Sequence, residues 1–307
     1  DDTWSDAPPT VSSSGTRALA GYLIEQQGLP AAPIEALLGM ELETLQRPDV
    51  RVPLTAHQAL WHFAVEHTGD SALGLHLGER VEPDRMGLVG HILFNARTLG
   101  EALGHYVRLQ QLVNEAQRLS LETRGAQAVL RWTQHPGTAY CAPDMDRTLA
   151  AAVTRARHFI HPKLLLRRLD LPHAMPPHAA EYLRLFQCEP RFEQDGAALY
   201  FDAHYLDKPL PQRNPYLYDA LIGQVNGLLA RLQPRQRFRR RVQSLIGRHL
   251  SAGQVDADTI AQALHMSRQT LYRKLKREDC SFQALVEDVR QARAQRYVAD
   301  ERYALSE

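Results

Sequence analysis

Cysteine is scarce. The 307 residues hold three, Cys141, Cys188 and Cys280, far apart and with no CxxC pair. That spacing argues against a disulfide framework or a zinc knuckle and fits a reducing cytoplasm. No window approaches the roughly 18 uninterrupted apolar residues of a membrane span, and the start lacks a basic-then-apolar signal pattern. Catalytic signatures are missing as well. Without a GxSxG elbow, a Walker phosphate loop or a GxGxxG turn, hydrolase, NTPase and Rossmann readings have no support. His57, His62, Glu66 and His67 cluster, His158 and His161 are three apart, and Glu101 and His105 are four apart. With 14 histidines such pairs arise by chance. None forms HExxH or brings a ligand set, so neither a metal nor a cofactor is expected.

What is present is an ordinary globular composition, 44% hydrophobic and 23% charged, at a length that suits two domains. The formal charge of +1 hides an asymmetry. Residues 1–233 carry 21 basic and 26 acidic side chains, whereas residues 234–307 carry 15 and 9. A mildly acidic body with a basic tail suggests that only the tail meets a polyanion. The chain opens on Asp-Asp rather than Met, so it is expected to be part of a longer product.

Residues 1–15, rich in Pro and Ser, are expected to be a flexible tail. Residues 16–81 read as short helices punctuated by Gly28, Pro30, Gly39 and Pro53, and 87–113 as two more. Thr98 with Glu101 forms a capping box at the second. Leu119, Leu121 and Thr123, then Gly125, then Ala128, Leu130 and Trp132 alternate with polar residues and predict a hairpin. A helix over 144–160, a strand over 164–171 and a helix over 177–186 follow. Phe192 and 199–201 flank Asp195-Gly196, which predicts a tight hairpin turn. Residues 16–206 are therefore an α+β domain. Three prolines within 207–215 end it. The helix beyond carries Tyr218, Leu221, Val225, Leu228 and Leu232 at intervals of 3, 4, 3 and 4, a coiled-coil seam. That seam either packs on its own domain or joins two copies as a homodimer; 207–234 is read as linker and dimer helix. Residues 235–307 read as all-helical.

The decisive stretch is 255–278. Asp256 can cap a short helix burying Ile260, Ala261 and Leu264, with Ala261 small enough for a close helix crossing. His265-Met266-Ser267 makes a turn with Met266 inward, and Ser267 is a good N-cap for the next helix. That helix buries Leu271 and Leu275 and exposes Arg268, Gln269, Tyr272, Arg273 and Lys276. A major groove about 12 Å wide admits one helix, whose outer face must offer base-edge donors and phosphate-binding cations. The bland alternative is a basic solvated helix in an ordinary bundle. A small residue, a short turn, a cap and a polar-basic face together favour the helix-turn-helix.

These residues, 263–275, with 280–285, Asp288-Val289-Arg290 and 294–300, resemble the AraC/XylS transcription regulators. Residues 87–112, 171–173, 182–191, 199–202 and 205–211 resemble the arabinose-binding-like effector domain of that family. The resemblance implies an α+β effector domain followed by an all-α helix-turn-helix DNA-binding domain. It implies a connecting helix over 294–300, with Leu305-Ser306-Glu307 as the first residues of a second helix-turn-helix absent from this sequence. Carried over, Gln269, Tyr272 and Arg273 match base-reading positions, while Arg268, Thr270 and Lys276 lie near phosphates. Cys188 falls near the family's Phe-x-Cys step and is expected to be buried rather than reactive. Asp279 departs from the family's Gly but tolerates the same left-handed turn. Double-stranded DNA, RNA polymerase and a small-molecule effector are the implied partners, activation the implied outcome.

For the effector, His91 and Asn95 lie one turn apart on an apolar helix and can face a cavity, with Tyr106 and Trp132 lining it. Hydrogen-bonded core roles for these four are the alternative. Two rival functions remain: a ligand-independent regulator whose first domain only oligomerises, and an enzyme with a nucleic-acid-tethering tail.

Overall fold

The computed structural model describes residues 8–47, 50–80, 87–211, 213–250, 255–276 and 280–299. The side chains of 228–237, 240 and 292–299 are outside that description. Two units separate, Pro9–Val225 and one beginning at Asn226. The first is α+β and the second all-helical.

The first unit is built on a five-stranded sheet of order β3-β4-β7-β5-β6. β3 (Gln117–Arg124) and β4 (Gln127–Gln134) form the expected hairpin, with Leu119 opposite Trp132 and Leu121 opposite Leu130. Gly125, at φ 58°, takes the left-handed turn position that a side chain would strain. β7 (Ala197–Asp202) lies between β4 and β5 (Leu166–Asp170), antiparallel to both. Leu130, Trp132, Leu169 and Leu199 form a core with Met145, Leu149 and Val153 of α7 (Ala142–Phe159) and Tyr182 and Phe186 of α8 (Ala179–Phe186).

The expected hairpin at Asp195-Gly196 does not form. β6 (Pro190–Arg191) pairs parallel with β5, while β7 is already paired on both edges. Residue Glu193, at φ 58°, makes the turn instead, and 191–194 is stitched to 171–173 by Leu171 N to Arg191 O, Glu193 N to His173 O and Gln194 N to Leu171 O.

A second core gathers Leu23, Ile34, Leu45, Leu60 and Trp61 from α1 (Ser13–Glu25), α2 (Ala31–Leu38), a 3-10 turn (Leu42–Gln46) and α3 (Leu54–Thr68). Part of the expected flexible tail belongs to it. β1 (Thr10–Ser12) pairs with β2 (Arg51–Pro53), Val11 is buried, and Ser12 caps α1. Arg51 donates to the Thr10 carbonyl and Glu115 accepts from the Thr10 N–H, so both backbone groups have partners. Residues 1–7 lie outside the description.

α4 (Leu73–Gly78) packs on α7 through Gly74 and Gly78, whose missing side chains let the backbones close. α5 (Gly87–Phe94) and α6 (Leu99–Val113) follow, and Thr98 caps α6 by accepting from the Glu101 N–H. The Glu101 carboxylate reaches the Arg97 N–H rather than that of Thr98, so the capping box is made one residue out of its usual register. The proline-rich stretch lies on these helices. Leu210 is buried with Ala96 and Ala102, Leu210 N bonds Arg97 O, and Asn214 N bonds Asn95 Oδ1 at 2.8 Å.

A single helix, α9 (Pro215–Leu250), then runs through the Pro234 position at which the sequence had been divided. Of its seam, Tyr218 hydrogen-bonds His105 of its own unit, Leu221 is half-buried and Val225 fully buried. The side chains of Leu228 and Leu232 lie outside the description.

Candidate nucleic-acid interface

The last turns of α9 supply Val242, Leu245 and Ile246 to a small core shared with α10 (Ala257–Ala263), α11 (Arg268–Lys276) and α12 (Phe282–Ala299). Asp256 caps α10, its carboxylate accepting from Thr259 N at 2.8 Å and from the Thr259 hydroxyl at 2.7 Å. These bonds hold its carboxyl below the usual range. The turn closes with Met266 N on Ala261 O at 3.0 Å and His265 N on Gln262 O at 2.9 Å. His265 takes the left-handed conformation, φ 53°, that ends many helices. Met266 is half-buried against the core.

Ser267 Oγ accepts from Thr270 N at 3.2 Å and also bonds the Thr270 hydroxyl at 2.9 Å. This satisfies a backbone donor that the first turn of α11 leaves free. Leu271 and Leu275 are wholly buried, and Ala261 is buried where α10 meets α11. A leucine at Ala261 has to force the two helices apart, and Ala261→Leu is expected to destabilise this unit by about 1–3 kcal/mol in urea unfolding. An unchanged midpoint would show that the crossing has room to spare.

The opposite face is bare. Arg268, Gln269, Tyr272, Arg273 and Lys276 are exposed, and Thr270 is half-buried. Arg268 is held between Asp258, at 3.1 Å, and the Tyr272 ring, 5.5 Å from its centroid. The Tyr272 ring in turn meets Phe282 edge-on at 6.4 Å, which orients it beside the guanidinium. Lys274, which the sequence left without a role, lies over Phe238 at 5.0 Å and braces the helix on its other flank. One amide, one phenol and three free or loosely held cations on a single helix face can donate to base edges and phosphate oxygens. Asp279 and residues 300–307 are outside the described residues, as are the side chains of 294–299.

In the first unit the four effector candidates separate. Tyr106 and Trp132 meet edge-on at 6.4 Å. Neither His91 nor Asn95 shares a ring contact or hydrogen bond with them. Asn95 is buried and spends its amide on backbone, donating to His91 O and accepting from Asn214 N, both at 2.8 Å. That bonding is the core role weighed against ligand contact. His57 is buried too, bonded to the Thr16 hydroxyl at 2.9 Å and to Trp61 Nε1 at 3.2 Å. Among the described residues no group of three His, Cys, Asp or Glu is placed to hold a metal. Burial pushes the Cys141 thiol up to about 12; Cys188 is half-buried rather than buried as expected, and its partial burial still raises the thiol to about 11, so neither is a thiolate near neutral pH. Charged residues of α7 near Tyr106 were not singled out from the sequence, because Arg147 and Arg155 fall off its apolar stripe.

Residues 28–210 match the family model described as the arabinose-binding domain of AraC transcription regulators, N-terminal. The ornithine utilization regulator of Pseudomonas aeruginosa is 25% identical over 286 residues, 93% of this chain and 84% of that protein. The HTH-type transcriptional regulator VirS of Mycobacterium tuberculosis is 27% identical over 228 residues, 72% of this chain and 66% of that one. The crystal structure of the transcriptional regulator CdpR from Pseudomonas aeruginosa shares the fold, with a TM-score of 0.51 and 22% identity over 95% of this chain and 87% of that one. No described helix is long and apolar enough to cross a membrane.

Proposed function

Because the chain belongs to the AraC transcription regulators that carry an arabinose-binding N-terminal domain, and is thus a DNA-binding regulator rather than an enzyme, we propose that it activates transcription under the control of a small-molecule effector. The effector binds the first unit and the helix-turn-helix reads the operator in the major groove. The observation that carries this reading is the bare polar face of α11 over a fully buried apolar one. Gln269, Tyr272 and Arg273 read base edges; Arg268, Thr270 and Lys276 fix the helix on phosphates; Ser267 caps it. The protein acts in the cytoplasm as a homodimer through the α9 seam and contacts RNA polymerase. Effector control requires that the ligand bind DNA-competent and incompetent arrangements unequally. One relative's name mentions ornithine, so L-ornithine is the first effector to titrate.

Arg273→Ala is expected to weaken binding to the specific site by about 1–3 kcal/mol and to relax sequence preference there. Gel-shift titration on operator and random DNA checks this. Equal losses on both would move Arg273 to the phosphates. Operator affinity that no metabolite changes would leave a ligand-independent regulator whose first unit only oligomerises.

A further inference from the structure

One face of α7 leaves hydrogen-bond donors unused. Trp132, on β4, is almost wholly buried, and among the described residues its indole N–H meets no acceptor but the Tyr106 hydroxyl. The Nε–H groups of Arg147 and Arg155 are also shut off from solvent and without acceptors. Arg147 has a partial counter-charge, Asp144 Oδ1 at 3.5 Å. That carboxylate is shared with His57 Nε2 at 3.3 Å. Burial pushes the Asp144 carboxyl up, but His57 and Arg147 outweigh it and hold it at about 2, so it stays ionised. Arg155 has no carboxylate within ion-pair distance among the described residues. Burial first, then the like charge of Arg147, lowers its pKa to about 10. The Tyr106 hydroxyl lies in the field of both arginines and beside the Trp132 indole.

Buried donors left unpaired cost free energy, and the acceptors of a bound molecule would satisfy them. Two guanidiniums and a phenol O–H present donors, with one positive charge that has no carboxylate partner among the described residues. The complement is a planar anion with several acceptor lone pairs, which a guanidinium fork meets with two parallel bonds. Tyr106, Arg147 and Arg155 are each only half-buried, so an incoming molecule can reach them. The Trp132 and Tyr106 rings, set edge to face, give it an apolar wall.

We infer that Arg147, Arg155, Tyr106 and Trp132 form a receptor for the carboxylate of a small organic acid. The inference rests on the effector reading above and gives that effector its chemical class. Arg155 is the anchor, because among the described residues it has no carboxylate partner to give up. Arg147 exchanges part of its hold on Asp144 for the ligand.

The test uses the whole chain, melted with benzoate, phenylacetate or hexanoate and with the corresponding neutral amides. At least one acid is expected to raise Tm by roughly 5–10 °C at about 100 times its Kd, and its amide is not. Arg155→Met should abolish the shift, and Arg155→Lys, which keeps the charge but not the fork, should reduce it. Without ligand, Arg155→Met should melt above the wild type, since it removes a half-buried cation with no carboxylate partner that sits beside the like charge of Arg147. A lower melting point for that variant overturns the inference, as does the absence of a shift with every acid. Equal stabilisation by acid and amide also overturns it while leaving the effector reading intact. An acid that binds through Arg155 but leaves operator affinity unchanged supports the receptor and removes the effector reading.

Discussion

Alanine in place of Gly74 or Gly78 is expected to cost the first unit at least about 2 kcal/mol, lowering Tm by roughly 4–8 °C, although alanine is the better helix former. A Cβ on Gly74 would stand 2.2 Å from the carbonyl oxygen of Pro143. On Gly78 it would stand 2.4 Å from the Ala150 Cβ and 2.7 Å from the Arg147 carbonyl oxygen. These obstacles are backbone, or a methyl fixed to it, so no rotamer change relieves them. α4 has to lift off α7, opening the core around Leu75, Leu149 and Ala150. Gly104, in the interior of α6, is the control: nothing lies within 4 Å of a Cβ there. Gly104→Ala should stabilise by about 0.5–1 kcal/mol through the unfolded chain's lost freedom. The same chemical change thus carries opposite signs on two helices, and calorimetry of the three variants would expose a uniform response at once. Because α7 also carries Arg147 and Arg155, the Gly78 variant should lose carboxylate binding along with stability.

Asp146→Asn is expected to do the reverse and stabilise the protein, but only at higher pH. Burial raises the Asp146 carboxyl to about 7, against which the hydrogen bond from Tyr182 is too weak to prevail. One carboxylate oxygen has no partner. The folded state therefore holds a proton that the unfolded chain releases near its ordinary 3.8. Stability falls as pH rises between those two values, at up to about 1.4 kcal/mol per pH unit, and levels off above the upper one. Asparagine keeps the shape and has no proton to lose. Wild type and variant should match near pH 4, with the variant ahead by on the order of 3 kcal/mol near pH 8. Urea unfolding across this range checks it; parallel curves would mean that Asp146 ionises freely in the folded protein.

The parts legible in the sequence are those whose causes are local. The Asp256 and Ser267 caps, the Thr98 cap and the Gly125 turn each depend on a few neighbours, and each occurs where the pattern puts it. What escaped depends on partners far along the chain. Asp195-Gly196 has the composition of a hairpin turn, but β4 and β5 claim both edges of β7, which no local pattern announces. Gly74 and Gly78 look like helix weaknesses until Pro143 and Ala150 are set against them. Val11 looks like part of a loose end until β2 and the Glu115 carboxylate hold its strand. The α11 face was legible because an exposed face needs no partner within the chain. Tyr106 and Trp132, chosen by residue type, do meet as rings, whereas Arg147 and Arg155 have no local signal, since their burial is set by the fold around α7.

The proline-rich stretch at 207–215 has the spelling of a tether, yet its bonds make it part of the scaffold. Leu210 fills space beside Ala96 and Ala102, and Asn214 occupies the side-chain oxygen of Asn95. A gene truncated at residue 206, the natural cut by spelling, would leave Asn95 Oδ1 without its donor and a leucine-sized hole beneath α6. A soluble sensor fragment has to keep these residues and the start of α9 as far as Val225, where Tyr218 still bonds His105. A protease offered the intact chain should accordingly pass over its prolines.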